Sequence, residues 1–184
     1  MEGLGRMKHP EGVQVLVNYL VDPAIDPSMK ESCVGPALTM AGLTAKEPLL
    51  KLLKDAPAPP ERAVSDPGMY AAQILAVLSE PHVNIVPSFA AIVASKPPRH
   101  LAHRAVEGLA QTHHEAAVKV LSDIVRSADT EVRQLAALAL GTIKLSSAVP
   151  ALESALKDPD MKVRECAAVS LTKYGVAAPA DSKE

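Results

Sequence analysis

Apolar residues recur along this chain at helical spacing. Val13, Leu16, Val17 and Leu20 fall at i, i+3, i+4 and i+7, which predicts a helix over Pro10–Val21. The same spacing predicts short helices over 26–43 and 47–55, then pairs at 66–79 with 81–94, 98–111 with 113–127, and 129–144 with 147–157, and a last helix at 161–174. Asp-Pro dipeptides mark helix starts at Asp26-Pro27, Asp66-Pro67 and Asp158-Pro159: Asp accepts from free N–H groups, and Pro tolerates the first turn. Gly35-Pro36 inside the second helix predicts a kink or break.

The pattern repeats. Val132-Arg133 recurs 31 residues later as Val163-Arg164, Ala136-Ala137 as Ala167-Ala168, and Leu140 as Leu171. Stepping back, Leu101, Ala105, Val106 and Leu109 take these places, then Tyr70, Ile74, Leu75 and Leu78. Val149 and Leu152 align with Val118 and Leu121, then with Pro87 and Ala90, and the capping position runs Asp160, Asp129, Pro98. A fixed period of this size predicts an all-α, right-handed α-solenoid of stacked antiparallel helix pairs, roughly five repeats long. Residues 1–175 read as one array, with Met1–Lys8 as the last turn of a first helix, a Pro-rich insertion at 56–65 and a flexible tail at 176–184. The array begins and ends in mid-repeat, so the chain is expected to be a piece of a longer one or a subunit of a larger complex.

Composition sharpens this picture. Hydrophobic residues make up 48% but aromatics only 2%, so Ala and Leu carry the packing and helices approach closely. Net charge is −2 with both signs interspersed, which argues against nucleic acid as a partner. Cys33 and Cys166 form no framework, and the N-terminal stretch lacks a secretory h-region, so a cytoplasmic location is expected. No apolar run is long enough for membrane insertion.

A repeat unit of this kind has one face free. With Val149, Leu152 and Leu156 in the core, Pro150, Ser154 and Lys157 point outward. Their equivalents are Lys119, Asp123 and Arg126, then Ser88, Ile92 and Ser95, then Glu47, Lys51 and Lys54, then Gln14, Asn18 and Val21. This mixed-charge row suits a protein partner. Ile85, Phe89 and Ile92 are expected to form an apolar stripe on or beside it, either as a partner anchor or as filling between helices.

The segment from Asp129 through Val132, Arg133, Ala136, Ala137, Leu140 and Gly141, followed by Ala148, Val149, Pro150, Leu152, Leu156 and Asp158, resembles HEAT-like repeats of the phycobilisome-lyase type. The resemblance covers most of the chain and is strongest in the last two repeats. It implies a ladder of hydrogen bonds between repeats, carried here by Asp129, Arg133, Asp160 and Arg164 and interrupted at Ala102 and Ala71. It implies a second helix row lining a concave side, and a function as adaptor, scaffold or accessory subunit without catalysis or cofactor. The alternative it leaves open is a HEAT-type enzyme, either a bilin lyase or a metal-dependent hydroxylase. HEAT-type deoxyhypusine hydroxylases hold iron through His-Glu pairs after the Val-Arg position. The corresponding residues here are Gln134-Leu135, Glu165-Cys166 and His103-Arg104, and His114-Glu115 lies elsewhere in the unit. Neither a metal site nor a catalytic residue is therefore expected.

Overall fold

The computed structural model describes residues 9–59, 66–78, 85–127 and 129–176. Every regular element among them is helical, and the fold is an all-α solenoid of packed helix pairs. The chain forms two compact units, Met1–Ile85 and Val86–Glu184. The expected helix turn at 1–8, residues 60–65 of the Pro-rich insertion, residues 79–84 of the third helix pair and the tail beyond Val176 lie outside the described residues.

In the first unit, α1 (Pro10–Val21) buries Val13, Leu16, Val17 and Leu20 as their spacing predicts. Asp26 caps the short α2 (Pro27–Met29) by accepting from Ser28 N at 2.8 Å. The predicted break at Gly35-Pro36 is resolved without a break. A π-helical turn (Lys30–Val34) leads directly into α3 (Gly35–Ala41), and Gly35 N donates to Lys30 O, five residues back. A proline ring crowds the carbonyl four residues before it and supplies no N–H. One wider turn just ahead of Pro36 relieves both problems. Gly42, at φ +62°, then ends α3 in the left-handed region. A 3₁₀ turn (Gly42–Ala45) joins α3 to α4 (Lys46–Asp55). Helix α4 packs on α5 (Pro67–Val77), which is capped by Asp66 accepting from Gly68 N at 2.9 Å.

The second unit has two layers. Helices α7 (Arg99–Gln111), α9 (Thr130–Ile143) and α11 (Met161–Thr172) stack side by side. Helices α6 (Val86–Ala94), α8 (Glu115–Ile124) and α10 (Val149–Ala155) pack against the first-layer helix that follows each. The first layer keeps the 31-residue period: Ala105, Ala136 and Ala167 are fully buried, as are Leu109, Leu140 and Leu171.

The second layer departs from that period once. The buried residues of α8, Ala117, Val118, Leu121 and Ile124, find their counterparts 32 residues earlier, at Ile85, Val86, Phe89 and Ile92. From Ile92 to Ala102 the chain uses one residue more than from Ile124 to Arg133. The extra residue sits in Ser95-Lys96-Pro97-Pro98, where Lys96 takes a left-handed φ of 52° and the two prolines cannot continue a helix. A slip of one residue turns a helix by about 100°. Ile92 therefore moves from the expected outward row to the core. The outward positions of α6 are Pro87, Ala91 and Ala94.

Close approach between first-layer helices depends on Gly141. A Cβ placed there would stand 2.5 Å from Ser170 Oγ and 2.9 Å from Ser170 Cα. Ser170 is fully buried and donates its hydroxyl to Ala137 O at 2.8 Å. Rotating a side chain cannot relieve a contact with Cα, so α9 and α11 would have to separate. Gly141→Ala is expected to destabilise by about 1–3 kcal/mol, against the gain of about 1 kcal/mol that Ala brings to an unconstrained helix. Urea unfolding checks this, and a stabilised variant would refute the close approach.

Candidate interaction surface

Two of the three first-layer helices, α9 and α11, begin with an aspartate that closes the helix's own first turn, whereas α7 begins at Pro98 with no side-chain cap. Asp129 accepts from Glu131 N at 2.9 Å and Val132 N at 3.2 Å, and Asp160 accepts from Val163 N at 3.1 Å. These bonds satisfy backbone donors that a helix start leaves without partners. Asp158 does not start a helix as its Asp-Pro dipeptide predicts. It accepts from Asp160 N at 2.9 Å, and α11 begins after Asp160.

The ladder between repeats is present with a different acid. Arg133 donates from Nε to Asp158 Oδ2 at 2.8 Å and from Nη2 to Asp158 Oδ1 at 2.9 Å. Its Nη1 also reaches Ser127 O at 3.1 Å. Asp129, the acid expected opposite Arg133, is directed at its own helix N-terminus because it lies only one turn before the arginine. Asp160 adds a second cross-link by accepting from Gln134 Nε2 at 3.3 Å. Arg164 Nη1 donates to Asp158 O at 2.8 Å and Pro159 O at 3.0 Å. The bidentate bond with Arg133 holds the Asp158 carboxyl below its ordinary range, and the same bond raises the guanidinium.

The second-layer helices leave a polar row in solvent. On and after α8, Lys119, Asp123 and Arg126 are exposed, and Arg126 pairs with Asp123 at 2.6 Å. On and after α10, Pro150, Ser154 and Lys157 are exposed. In the first unit, Gln14 and Asn18 are exposed on α1 with Gln14 Nε2 donating to Asn18 Oδ1 at 3.0 Å, and Glu47, Lys51 and Lys54 are exposed on α4.

The apolar stripe is not on this surface. Ile85, Phe89 and Ile92 are buried, Phe89 completely, and Ser88 is half-buried. The Phe89 ring ends against Gly108 of α7, where an added Cβ would meet Cζ at 2.5 Å. The absence of a side chain at Gly108 is what admits the only phenylalanine of the chain.

His113 and His114 have local roles. His114 caps α8, its Nδ1 accepting from Ala116 N at 3.0 Å, which places the proton of the neutral ring on Nε2. His113 Nδ1 lies 3.0 Å from Ile143 O, and His103 is exposed. Glu115 Oε2 accepts from Ser147 Oγ at 2.5 Å. Among the described residues no group of three or more His, Cys, Asp or Glu is placed to hold a metal ion. Burial first, then Glu165 and Asp160, push the half-buried Cys166 thiol up, away from the nucleophilic form.

Residues 86–172 match the family model for HEAT repeats. This segment is a run of HEAT-like repeats. The matched HEAT region begins with α6 and closes with the last residue of α11. The fold is also similar to the solved structure of human deoxyhypusine hydroxylase in complex with glycerol, at 21% sequence identity and a TM-score of 0.51, covering 95% of this chain and 77% of that one. Identity at this level bears on the fold alone. No curated protein sequence matches the chain. Among the described residues, no helix is long and apolar enough to cross a membrane.

Proposed function

We propose that this chain is a non-catalytic protein–protein interaction module, an adaptor, scaffold or accessory subunit, that binds its partner through the exposed second-helix row. The observation that carries the reading is the polar row itself. Lys119, Asp123 and Ser154 stand exposed on helices whose opposite faces are fully committed to the core. Gln14, Asn18 and Lys51 are the corresponding candidates in the first unit. Mixed charge without an exposed aromatic platform suits a protein surface better than nucleic acid. Both cysteines are free thiols, which fits a reducing cytoplasm.

The test is capture from a lysate of the source cell with this chain as bait. The combined Lys119→Glu and Ser154→Glu variant should keep its unfolding midpoint, because surface changes of this kind stay within about 0.5 kcal/mol. It should also lose the captured partner by about tenfold. Undiminished capture would sink the reading.

The likeness to deoxyhypusine hydroxylase favours a second reading, a HEAT-type metal-dependent enzyme. Against it, the residues after the Val-Arg position include no His-Glu pair: Gln134-Leu135 and Glu165-Cys166 stand there, and His103 is followed by the fully buried Arg104. Stoichiometric iron or zinc in protein purified without chelator would replace the adaptor reading with this one.

A further inference from the structure

A cavity of about 290 Å³ opens between the C-terminal ends of α8 and α10, bordered by Arg126, Ser127, Arg133, Ser154, Lys157 and Asp158. We propose that it receives a carboxylate side chain from an acidic segment of the protein partner. The proposal rests on the second-helix row being the partner face and names the chemistry that this face selects.

Arg126 and Lys157 occupy the same place in successive repeats, 31 residues apart, so the period sets two cations at the cavity. Their counter-ions differ. Arg126 pairs with Asp123, but the residue one repeat after Asp123 is Ser154, and Lys157 makes no ion pair among the described residues. Helix C-termini ordinarily repel anions through their free carbonyls. Here the end carbonyls are taken by the turns that follow: Arg126 N donates to Asp123 O, Ser127 N to Ile124 O, Lys157 N to Ser154 O and Asp158 N to Ala155 O. Within those turns Arg133 takes Ser127 O, and Arg164 takes Asp158 O and Pro159 O. The one carboxylate in the lining, Asp158, has both oxygens bound by Arg133. What faces the space is therefore an ammonium that makes no ion pair among the described residues and a guanidinium whose own partner is replaceable. The Arg126–Asp123 pair is two-thirds exposed on each side and holds Arg126 only weakly. Ser127 and Ser154 add hydroxyls to the lining. A long polyanion is a poorer fit, because Asp123 and the exposed Glu153 flank the two cations.

The test uses the full chain and fluorescence anisotropy with a labelled hexaglutamate peptide at low salt, beside a neutral Gly-Ser peptide of equal length and a short oligothymidylate. Hexaglutamate should bind at least about tenfold more tightly than the Gly-Ser peptide and weaken with salt. Lys157→Glu should reduce its affinity about tenfold, and Ser154→Asp, which restores the missing counter-ion, about three- to fivefold. Both residues are exposed, so circular dichroism should be unchanged in both variants. Equal affinity for the Gly-Ser peptide, unchanged binding in the two variants, or oligothymidylate binding as tight as hexaglutamate would each overturn the proposal. If lysate capture depends on Lys119 while hexaglutamate does not bind, the cavity proposal fails and the partner-face reading stands.

Discussion

Phe89→Ala should destabilise the second unit by about 3–5 kcal/mol. The ring is fully buried between α6 and α7 and rests on Gly108, a position without a side chain that could move in to fill the space. Collapse around the hole is therefore limited, and the cost should fall toward the upper end of the range for large-to-small core changes. Phe89→Leu should cost less, because it leaves a smaller void. Denaturant unfolding followed by circular dichroism measures both. The opposite outcome is clear: if Phe89 anchored a partner, Phe89→Ala would leave the unfolding midpoint in place and abolish capture. A reciprocal experiment addresses the same contact. Gly108→Ala should destabilise wild type, and the penalty should shrink in a Phe89→Leu background if the clash with the ring is its cause.

How far the pattern of residues foretold this site depends on which physical rule set each position. The first layer is legible because its core is built from short side chains at a constant period: Ala105, Ala136 and Ala167 permit close approach, and a slip of one residue back would replace them by Arg104, Leu135 and Cys166. The exposed row on α8 and α10 is legible for the same reason. Helix α6 is not, because one extra residue at Lys96-Pro97-Pro98 breaks the step of 31 residues. The prolines announced a connection, but its length becomes visible only when the buried set Ile85, Phe89 and Ile92 is aligned with Ala117, Leu121 and Ile124.

The acid of the ladder is obscured in the sequence for another reason. Asp129 and Asp158 are both near a helix start, and the competition between capping and ion pairing is decided by reach. The adjacent backbone N–H groups claim Asp129, while Asp158 lies beside Arg133 in space though 25 residues after it in sequence. Arg104 was equally hidden: the corresponding residues Leu135 and Cys166 predict a less polar side chain at a position where Arg104 is fully buried.

Arg133→Ala is the second large effect expected. The Arg133 and Asp158 side chains are only 10% and 8% exposed, and removing the guanidinium leaves a carboxylate with little water and one backbone donor. Breaking buried pairs costs about 3–5 kcal/mol, and because this pair borders a cavity that admits water, about 2–4 kcal/mol is expected. The pH dependence gives the cause. Asp158 has a lowered folded-state pKa, set first by its hydrogen bond with Arg133. A depressed carboxyl contributes stability that is fully present above its unfolded value of about 3.9 and is lost as pH falls through the lowered folded value. The stability gap between wild type and Arg133→Ala should thus be constant from neutral pH down to about pH 5 and close progressively below about pH 4. Arg133 itself stays protonated throughout and adds no slope of its own. Urea titrations at a series of pH values measure the gap. A gap under about 1 kcal/mol at neutral pH would mark the pair as an ordinary surface contact. A gap that persists unchanged in acid would mean that Arg133 stabilises through its bond to Ser127 O and its packed stem, with the Asp158 carboxylate a bystander.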